Sequence, residues 1–392
     1  MRTYQQTALL TRTVKDMSIT DSSVLRVVPT GRIRSILNSV FELSNASDGR
    51  LLAMEGLRGL AVGLVFICHF FAMYIGNTNS NWLQYASDFV PRVTHIGVDL
   101  FFILSGFLIY KPLISRDINL KNFWIRRIKR IYPTYTAVFV VYLALTFLMP
   151  QFSKLPSNTI DAITWVVASF FLIPGMWPID SFIVVAWSLS YEFFFYLVMP
   201  LIIIGLRMQS WTSNQRIFFF AMLSLLGIGL MSALGGPIRL SVFLFGVILL
   251  EIIQFKKATM KLPSAAGLVA AGISIALYGA CVWFKLPHTI SITAIGIGFF
   301  ILVYDSFTDE SLANRVFKWT PLRWLGNMSF SFYLLHGLVI KAVFLALGMI
   351  GLQKVALYSS NGLLFLFLAC FIAAFCGSAV LFVSIEKKYS LS

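Results

Sequence analysis

The sequence predicts an all-α fold, a polytopic integral membrane bundle of about ten transmembrane helices plus one re-entrant or surface segment. Hydrophobic residues make up 58% of the 392 residues and charged residues only 12%. Soluble domains carry about 45–50% and about a quarter, respectively. A soluble domain cannot bury that much apolar surface and still present a polar exterior. The composition therefore excludes a water-soluble protein.

Apolar runs locate the predicted helices, because a helix needs about 20 mostly apolar residues to cross a bilayer. Ten runs meet this requirement: 57–76, 96–113, 131–150, 183–206, 216–234, 238–254, 265–284, 289–305, 325–348 and 362–384. An eleventh run, 160–178, is apolar but ends in Pro174, Gly175 and Pro178, which interrupt a helix. We expect this run to be re-entrant or to lie on the surface.

Positive charges set the predicted orientation. With ten spans and a cytoplasmic N-terminus, all but six of the 31 Lys and Arg residues fall on the cytoplasmic side, as the positive-inside rule expects. The six are Arg92, Lys154, Arg239, Lys285, Lys341 and Lys354. We therefore expect a multi-pass protein of the cell (inner or plasma) membrane with both termini cytoplasmic. The net charge of +15 follows from this rule, and we expect no nucleic-acid partner.

Three regions are predicted along the chain. Residues 1–54 are polar and are expected to form a partly disordered cytoplasmic tail, in which Val24–Leu43 forms an amphipathic surface helix. Residues 55–386 form the membrane domain, and 387–392 a short cytoplasmic tail. The four cysteines lie in apolar runs without a Cys-x-x-Cys pair, so we expect buried thiols and no metal site.

The first span carries the sharpest candidate for a functional site, because ionisable groups are costly in hydrocarbon and usually serve a function there. Arg58 and His69 are eleven residues apart, so they share one helix face about 16 Å apart along the axis. This places a guanidinium at the cytoplasmic mouth and an imidazole near mid-membrane. A hydrogen-bonded packing histidine is the alternative interpretation of His69.

The second span carries Asp99 near its outer end and Ser105 further along. Small residues such as Ser105 let a second helix approach closely. Asp99 is a candidate carboxylate for the site. The alternative is an interfacial carboxylate that pairs with Arg92 or His95.

The fourth and ninth spans also carry polar side chains. Glu192, with Tyr191 beside it, lies within the membrane and needs a partner, and we predict His69 as that partner. In the ninth span, Tyr333 and His336 lie on one helical stripe and are predicted to face an internal lumen. A hydrogen-bonded seam between helices is the alternative for this stripe.

Four cations cluster at the start of the third span: Arg126, Arg127, Lys129 and Arg130. Arginine binds phosphate with two parallel hydrogen bonds. We therefore predict a phosphate clamp for cytosolic acyl-CoA, formed by Arg58, Arg126, Arg127 and Arg130. Ordinary positive-inside anchoring is the alternative.

Five blocks, taken in order, resemble the signature blocks of the acyltransferase family 3 integral membrane enzymes, which acylate bacterial surface polysaccharides, Nod factors, peptidoglycan and macrolides. The blocks are LRGLAVGLVFICHF, GVDLFFILSGFLIY, FWIRRIKRIYP, WSLSYEFFFYLVMP and SFSFYLLH. The family's Arg-x10-His pattern falls on Arg58 and His69, and its Arg-x-x-Arg pattern on Arg127 and Arg130. Its glutamate corresponds to Glu192.

This resemblance implies a membrane-bound O-acyltransferase. The enzyme would transfer an acyl group, acetyl in the family's usual chemistry, from cytosolic acyl-CoA to a hydroxyl of a carbohydrate or glycolipid. Acyl-CoA would be a co-substrate, and no permanently bound cofactor is expected. Histidine is the side chain whose ordinary pKa suits a general base near neutrality, so His69 would be the base, and Glu192 or Asp99 could orient its ring. The alternatives are a transporter or flippase without covalent transfer, and a scaffold of a polysaccharide assembly complex.

Overall fold

The computed structural model describes residues 30–43, 49–74, 81–115, 119–176, 179–255, 262–351 and 360–391. Within these ranges the chain is helical and forms no β-strand. The α-helices in chain order, α1 to α15, are Thr30–Phe41, Gly49–Tyr74, Asn81–Thr94, Gly97–Leu113, Leu120–Leu148, Thr159–Phe170, Ala186–Gly205, Ser213–Leu234, Val242–Leu250, Ala266–Trp283, His288–Ser306, Leu312–Phe317, Thr320–Asn327, Ser329–Met349 and Ser360–Leu381.

The chain divides into two compact units, Met1–Val40 and Phe41–Ser392. The first unit contains most of α1, which forms part of the surface helix predicted over Val24–Leu43. Residues 24–29, like most of the predicted tail, lie outside the described residues. The second unit holds all the other helices.

The described chain contains nine helices that are long and apolar enough to cross a membrane, which confirms the predicted polytopic helical bundle. They are Gly49–Tyr74, Trp82–Leu113, Leu120–Leu148, Ala186–Gly205, Ser213–Leu234, Ala266–Trp283, His288–Ser306, Ser329–Met349 and Asn361–Ser390. The protein is therefore a multi-pass membrane protein. Each of these helices overlaps a predicted span.

The sixth predicted span, 238–254, is not among these nine helices and differs from a regular transmembrane helix. It consists of the nine-residue α9, preceded by a 3₁₀ helix over Ile238–Ser241 and followed by a π-helix over Glu251–Phe255. Most α9 side chains are buried within the bundle. A helix that is hydrophobic all round packs in the interior. The continuous apolar run therefore reflects protein contacts on every side.

Glycines bring α9 into backbone contact with α4. A Cβ atom added at Gly246 would lie 1.9 Å from the carbonyl oxygen of Ile103, and one added at Gly106 would lie 2.0 Å from that of Phe243. Small residues at helix crossings allow this close approach in membrane proteins. The paired glycines hold α4 against α9, and α4 carries Asp99 and Ser105.

The apolar run 160–178 contains the 12-residue helix α6, about 18 Å long at 1.5 Å per residue. The hydrocarbon core is about 30 Å thick, so α6 is too short to cross it. The chain then turns through left-handed backbone at Leu172, with φ 57°, and at Gly175, with φ 95°. This geometry agrees with the expectation that the run 160–178 does not cross the membrane. The side of the membrane on which it lies stays a prediction.

Two helices extend past the predicted bounds of the membrane domain, 55 and 386. Helix α2 begins at Gly49, within the predicted tail, because its first turns pack on later helices: a Cβ atom added at Gly56 would lie 1.9 Å from the carbonyl oxygen of Phe317. At the other end a π-helix extends over Phe382–Ser390, through most of the predicted tail 387–392. The Ser390 hydroxyl lies 3.2 Å from that of Thr134 on α5, which holds this end against the bundle.

We expect Gly246→Ala to destabilise the bundle, because the added methyl group meets backbone that cannot yield without moving α4 or α9. The loss in the free energy of unfolding should be about 1–3 kcal/mol, as for overpacked cores. The matched control is Gly229→Ala in the middle of α8, where an added Cβ atom has open space. Thermal unfolding in detergent, followed by tryptophan fluorescence, measures both. A Gly246→Ala protein as stable as Gly229→Ala would contradict the close packing.

Candidate active site

A cavity of about 110 Å³ lies among α2, α4, α5, α7 and α14. Six residues predicted from the sequence line it: Arg58, Ser105, Arg127, Arg130, Glu192 and Tyr333. They come from five helices, and only Arg127 and Arg130 share one. The cavity therefore collects three guanidinium groups, a carboxylate and hydroxyl groups in one place.

The cation cluster divides into two faces of α5. Arg127 and Arg130, one helical turn apart, line the cavity, whereas Arg126 and Lys129 are exposed on the outer surface. The predicted clamp therefore reduces to Arg58, Arg127 and Arg130. Arg126 differs from the expectation, because its position on the helix turns it away from the cavity.

Aromatic rings hold Arg127 in place. Its guanidinium carbon lies 5.4 Å from the ring centroids of Phe123 and Tyr196, a distance typical of cation–π contacts. Its Nε atom is buried and donates no hydrogen bond to any described residue. Arg127 is thus positioned by rings, with hydrogen-bonding capacity left for an anion.

An ion pair positions Arg130. Its Nη1 atom lies 3.1 Å from Oε1 of the fully buried Glu386. The other oxygen of Glu386 accepts hydrogen bonds from the backbone N–H of Ser331, at 3.0 Å, and from its hydroxyl, at 2.6 Å. Glu386 was absent from the predicted site, although a glutamate in an apolar terminal helix was the signal that could have found it.

Glu192 bonds with hydroxyl groups. Its Oε1 atom accepts hydrogen bonds from Tyr196, at 2.5 Å, and from Ser105, at 3.3 Å. The predicted pairing with His69 is not among these contacts. Glu192 faces the cavity together with Ser105, because α7 and α4 pack against each other there.

His69 and His336 form a pair of imidazole rings, 4.9 Å apart between centroids and nearly perpendicular. The Nδ1 atom of His69 lies 2.9 Å from the carbonyl oxygen of Val65, and that of His336 lies 3.0 Å from the carbonyl oxygen of Phe332. A carbonyl oxygen only accepts hydrogen bonds, so Nδ1 carries the hydrogen in each neutral ring and Nε2 is left with its lone pair. His69 is oriented by its own helix instead of by a carboxylate.

Of the remaining predicted residues, Tyr191 and Asp99 do not line the cavity. Tyr333 does line it, and its ring centroid lies 6.1 Å from that of His336, so Tyr333 connects the cavity to the histidine pair. Tyr191 packs its ring 5.3 Å from Trp187. Asp99 is fully buried and lies 3.6 Å from Arg239. The expected alternative partner Arg92 instead binds Asp88 at 2.7 Å.

Three guanidinium groups therefore line the cavity, and a pair of imidazole rings lies beside it, next to Tyr333. The acyltransferase domain model of acyltransferase family 3 matches residues 51–383. The chain therefore belongs to this family and is an acyltransferase. Of the functions considered from the sequence, the enzyme is thus favoured over the transporter and the scaffold.

Named relatives agree with this assignment. The chain is 28% identical over 330 residues to the peptidoglycan O-acetyltransferase OatA of Listeria monocytogenes, covering 72% of this chain and 48% of OatA. It is 28% identical over 327 residues to the putative peptidoglycan O-acetyltransferase YrhL of Bacillus subtilis, and the match covers 73% of this chain and 48% of YrhL. The acyltransferase MdmB of Streptomyces mycarofaciens is 32% identical over 163 residues, 39% of each chain.

The chain spans about half the length of OatA and YrhL. Both carry names that specify O-acetyl transfer, which agrees with O-acyl transfer as the chemistry of this fold. No solved structure matches the chain.

We expect Glu386→Gln to lower the free energy of unfolding by about 1.5–3 kcal/mol, the contribution of a hydrogen bond to a charged group. The change removes the negative charge that Arg130 faces and preserves side-chain size. The matched control is Asp309→Asn, because Asp309 forms a 3.4 Å ion pair with Lys318 while its side chain is 83% exposed. An exposed pair contributes little. Equal thermal stabilities of the two variants would contradict the structural role of Glu386.

Proposed function

We propose that the protein transfers an acyl group, acetyl by preference, from cytosolic acyl-CoA to a hydroxyl group of a carbohydrate or glycolipid acceptor across the membrane. The observation that carries the proposal is the cavity in which Arg58, Arg127 and Arg130 converge below the histidine pair. Coenzyme A carries phosphates at one end and its thioester at the other end of a long arm. Such a ligand suits a site whose cations and base lie apart.

Phosphate binding is the role proposed for the arginines. Arg127 keeps an unpaired Nε–H among the described residues, and its plane is fixed between two rings. A preorganised guanidinium binds phosphate without first paying an ordering cost. Arg130 is partly neutralised by Glu386, so we assign the larger share of phosphate binding to Arg127 and Arg58.

His69 is proposed as the general base. Its Nε2 lone pair would accept the proton of the acceptor hydroxyl as that oxygen attacks the thioester carbonyl carbon. The carbon–sulfur bond then breaks, and the imidazolium returns the proton to the departing thiolate. The Val65 carbonyl keeps the required tautomer throughout, since it holds Nδ1–H.

The acceptor class rests on two supports. The relatives OatA and YrhL are named for peptidoglycan, a polysaccharide. The predicted orientation also places the arginine end in the cytoplasm and the far end of α2 outside. An acyl group would then pass through the bundle while CoA stays inside, and the protein would lie in the cell membrane with both termini cytoplasmic.

Arg127→Gln should raise KM for acetyl-CoA by about 10- to 100-fold, the range for one charge-assisted hydrogen-bonding group. The same variant should change KM for acetyl-pantetheine, which lacks the nucleotide phosphates, much less. The matched control is Arg126→Gln, because Arg126 is the neighbouring residue and is exposed. This variant should change the KM for neither donor. Steady-state kinetics in nanodiscs measure all three proteins. Equal losses with both donors would reject phosphate binding by Arg127.

His69→Ala should reduce the rate of acyl transfer by about 10²- to 10⁴-fold, the usual contribution of general acid–base catalysis. Thermal unfolding and membrane insertion should remain normal, because the ring makes one hydrogen bond to its own helix. Added imidazole should restore part of the rate. Near-normal turnover by correctly inserted His69→Ala would remove the base from this mechanism.

A further inference from the structure

Five helical elements and connections bring polar and aromatic side chains together near Asp99. Arg239 donates a hydrogen bond from Nη1 to Nδ1 of His95 and another from Nη2 to the Tyr278 hydroxyl, at 3.1 Å. Its Nε atom lies 3.6 Å from Oδ1 of Asp99. The ring of His95 stacks on Trp187 at 5.4 Å between centroids and 6° between planes. We call these five residues the Asp99 cluster.

The Asp99 cluster borders the arginine-lined cavity, although none of its five residues lines it. Asp99 precedes the cavity residue Ser105 by six positions on α4, about 9 Å along the helix axis. Trp187 likewise precedes Glu192 by five positions on α7, about 7.5 Å. Val98 and Ser188, the chain neighbours of Asp99 and Trp187, line the cavity. On both helices the cluster therefore lies at the border of the cavity.

The histidine pair lies beside the cluster. Helix α4 packs its start on α2, where a Cβ atom added at Gly97 would lie 2.4 Å from the carbonyl oxygen of Ala61 and 3.1 Å from a methyl carbon of Val65. Val65 is the residue whose carbonyl orients His69. A molecule bound at Asp99 would therefore lie close to the turn of α2 that carries the proposed base.

Asp99 has unused hydrogen-bonding capacity. Its side chain is fully buried, and neither carboxylate oxygen accepts a hydrogen bond from any described residue. The nearest guanidinium nitrogen, at 3.6 Å, is beyond hydrogen-bond range. Burying a carboxylate without hydrogen-bond donors is unfavourable. A group that is bound during function can supply those donors.

A second buried pair shows what a structural ion pair looks like in this protein. Glu251 accepts hydrogen bonds on Oε1 from Arg216, at 2.7 Å, and from Tyr110, at 2.5 Å. Its Oε2 atom accepts from Arg216, at 3.1 Å, and from Ser213, at 2.8 Å. Both oxygens are satisfied there. Asp99 and Arg239 are also a buried carboxylate beside a guanidinium, but neither oxygen of Asp99 accepts a hydrogen bond from a described residue.

The open carboxylate favours one ligand chemistry. Arg239 beside Asp99 repels a cation, and Asp99 repels an anion, so a neutral ligand is favoured. Its donors must be hydroxyl or amide groups that reach a carboxylate. The ring of Trp187, partly exposed, offers an apolar face beside them. Neighbouring hydroxyl groups above an apolar C–H face are the chemistry of a sugar ring.

We infer that Asp99 and Arg239 form the saccharide-acceptor subsite, in which the Asp99 carboxylate accepts hydrogen bonds from sugar hydroxyl groups and so presents the reactive hydroxyl to His69. The inference rests on the proposed function and adds to it the residues that hold the acceptor. It also changes the expectation for Asp99 from a residue that orients His69 to one that binds the substrate.

The test compares Asp99→Asn with wild-type full-length protein in nanodiscs, with an N-acetylglucosamine pentasaccharide as the acceptor probe and acetyl-CoA as donor. Asp99→Asn should raise KM for the saccharide by about 10- to 100-fold, as expected for lost charge-assisted hydrogen bonds. KM for acetyl-CoA and the rate of thioester hydrolysis without saccharide should stay unchanged. The thermal midpoint should be equal or higher, because a buried charge without donors is removed.

The matched control is Asp88→Asn, which breaks the exposed 2.7 Å pair with Arg92 nearby and should change none of these values. A lower thermal midpoint in Asp99→Asn with unchanged saccharide KM would show a helix clamp and overturn the inference. Equal losses of saccharide transfer and of thioester hydrolysis would show a role in the chemical step and would also overturn it.

Binding without donor separates this inference from the proposed function. The pentasaccharide should raise the thermal midpoint of the wild-type protein and leave that of Asp99→Asn unchanged. This result would support the subsite even if the wild-type protein transferred no acyl group, in which case only the proposed function would fail. No stabilisation of the wild-type protein at any saccharide concentration would overturn the subsite.

Discussion

Ionisable side chains inside a low-dielectric bundle must find partners on other helices, and this constraint organises the whole structure. Two buried arginines and the partly buried Arg130 each meet a glutamate that is far away in sequence: Arg130 meets Glu386, Arg216 meets Glu251, and Arg323 meets Glu55 at 2.8 Å. Removing one partner of such a pair is costly. These pairs therefore tie α5 to the terminal π-helix, α8 to the end of α9, and α13 to α2.

The exceptions to this constraint mark the chemistry. Arg127 keeps an unpaired Nε–H, His336 an unpaired Nε2, and Asp99 two unpaired oxygens among the described residues. Arg127 lines the cavity, and His336 lies against His69. Arg127 and Asp99 are the groups for which we propose contacts with the two substrates.

Close helix packing gives the site its geometry. Gly56 and Gly326 bring α2 against α12 and α13 at backbone distance, and Gly106 and Gly246 do the same for α4 and α9. Because backbone meets backbone, α2 and α4 have little freedom to slide. The relative heights of Arg58, His69 and Asp99 in the bundle are therefore set by these contacts between helix backbones.

The sequence by itself determined the features that depend on local geometry. Apolar length located the spans, and helical periodicity placed Arg58 and His69 on one face and could have separated Arg127 from Arg126. Tertiary structure alone decided which residues meet: His69 lies against His336, Glu386 binds Arg130 across 256 positions, and Asp99 faces Arg239. A helical repeat is read from neighbours along the chain, whereas partner choice depends on how distant helices pack, and many packings are compatible with the same apolar runs.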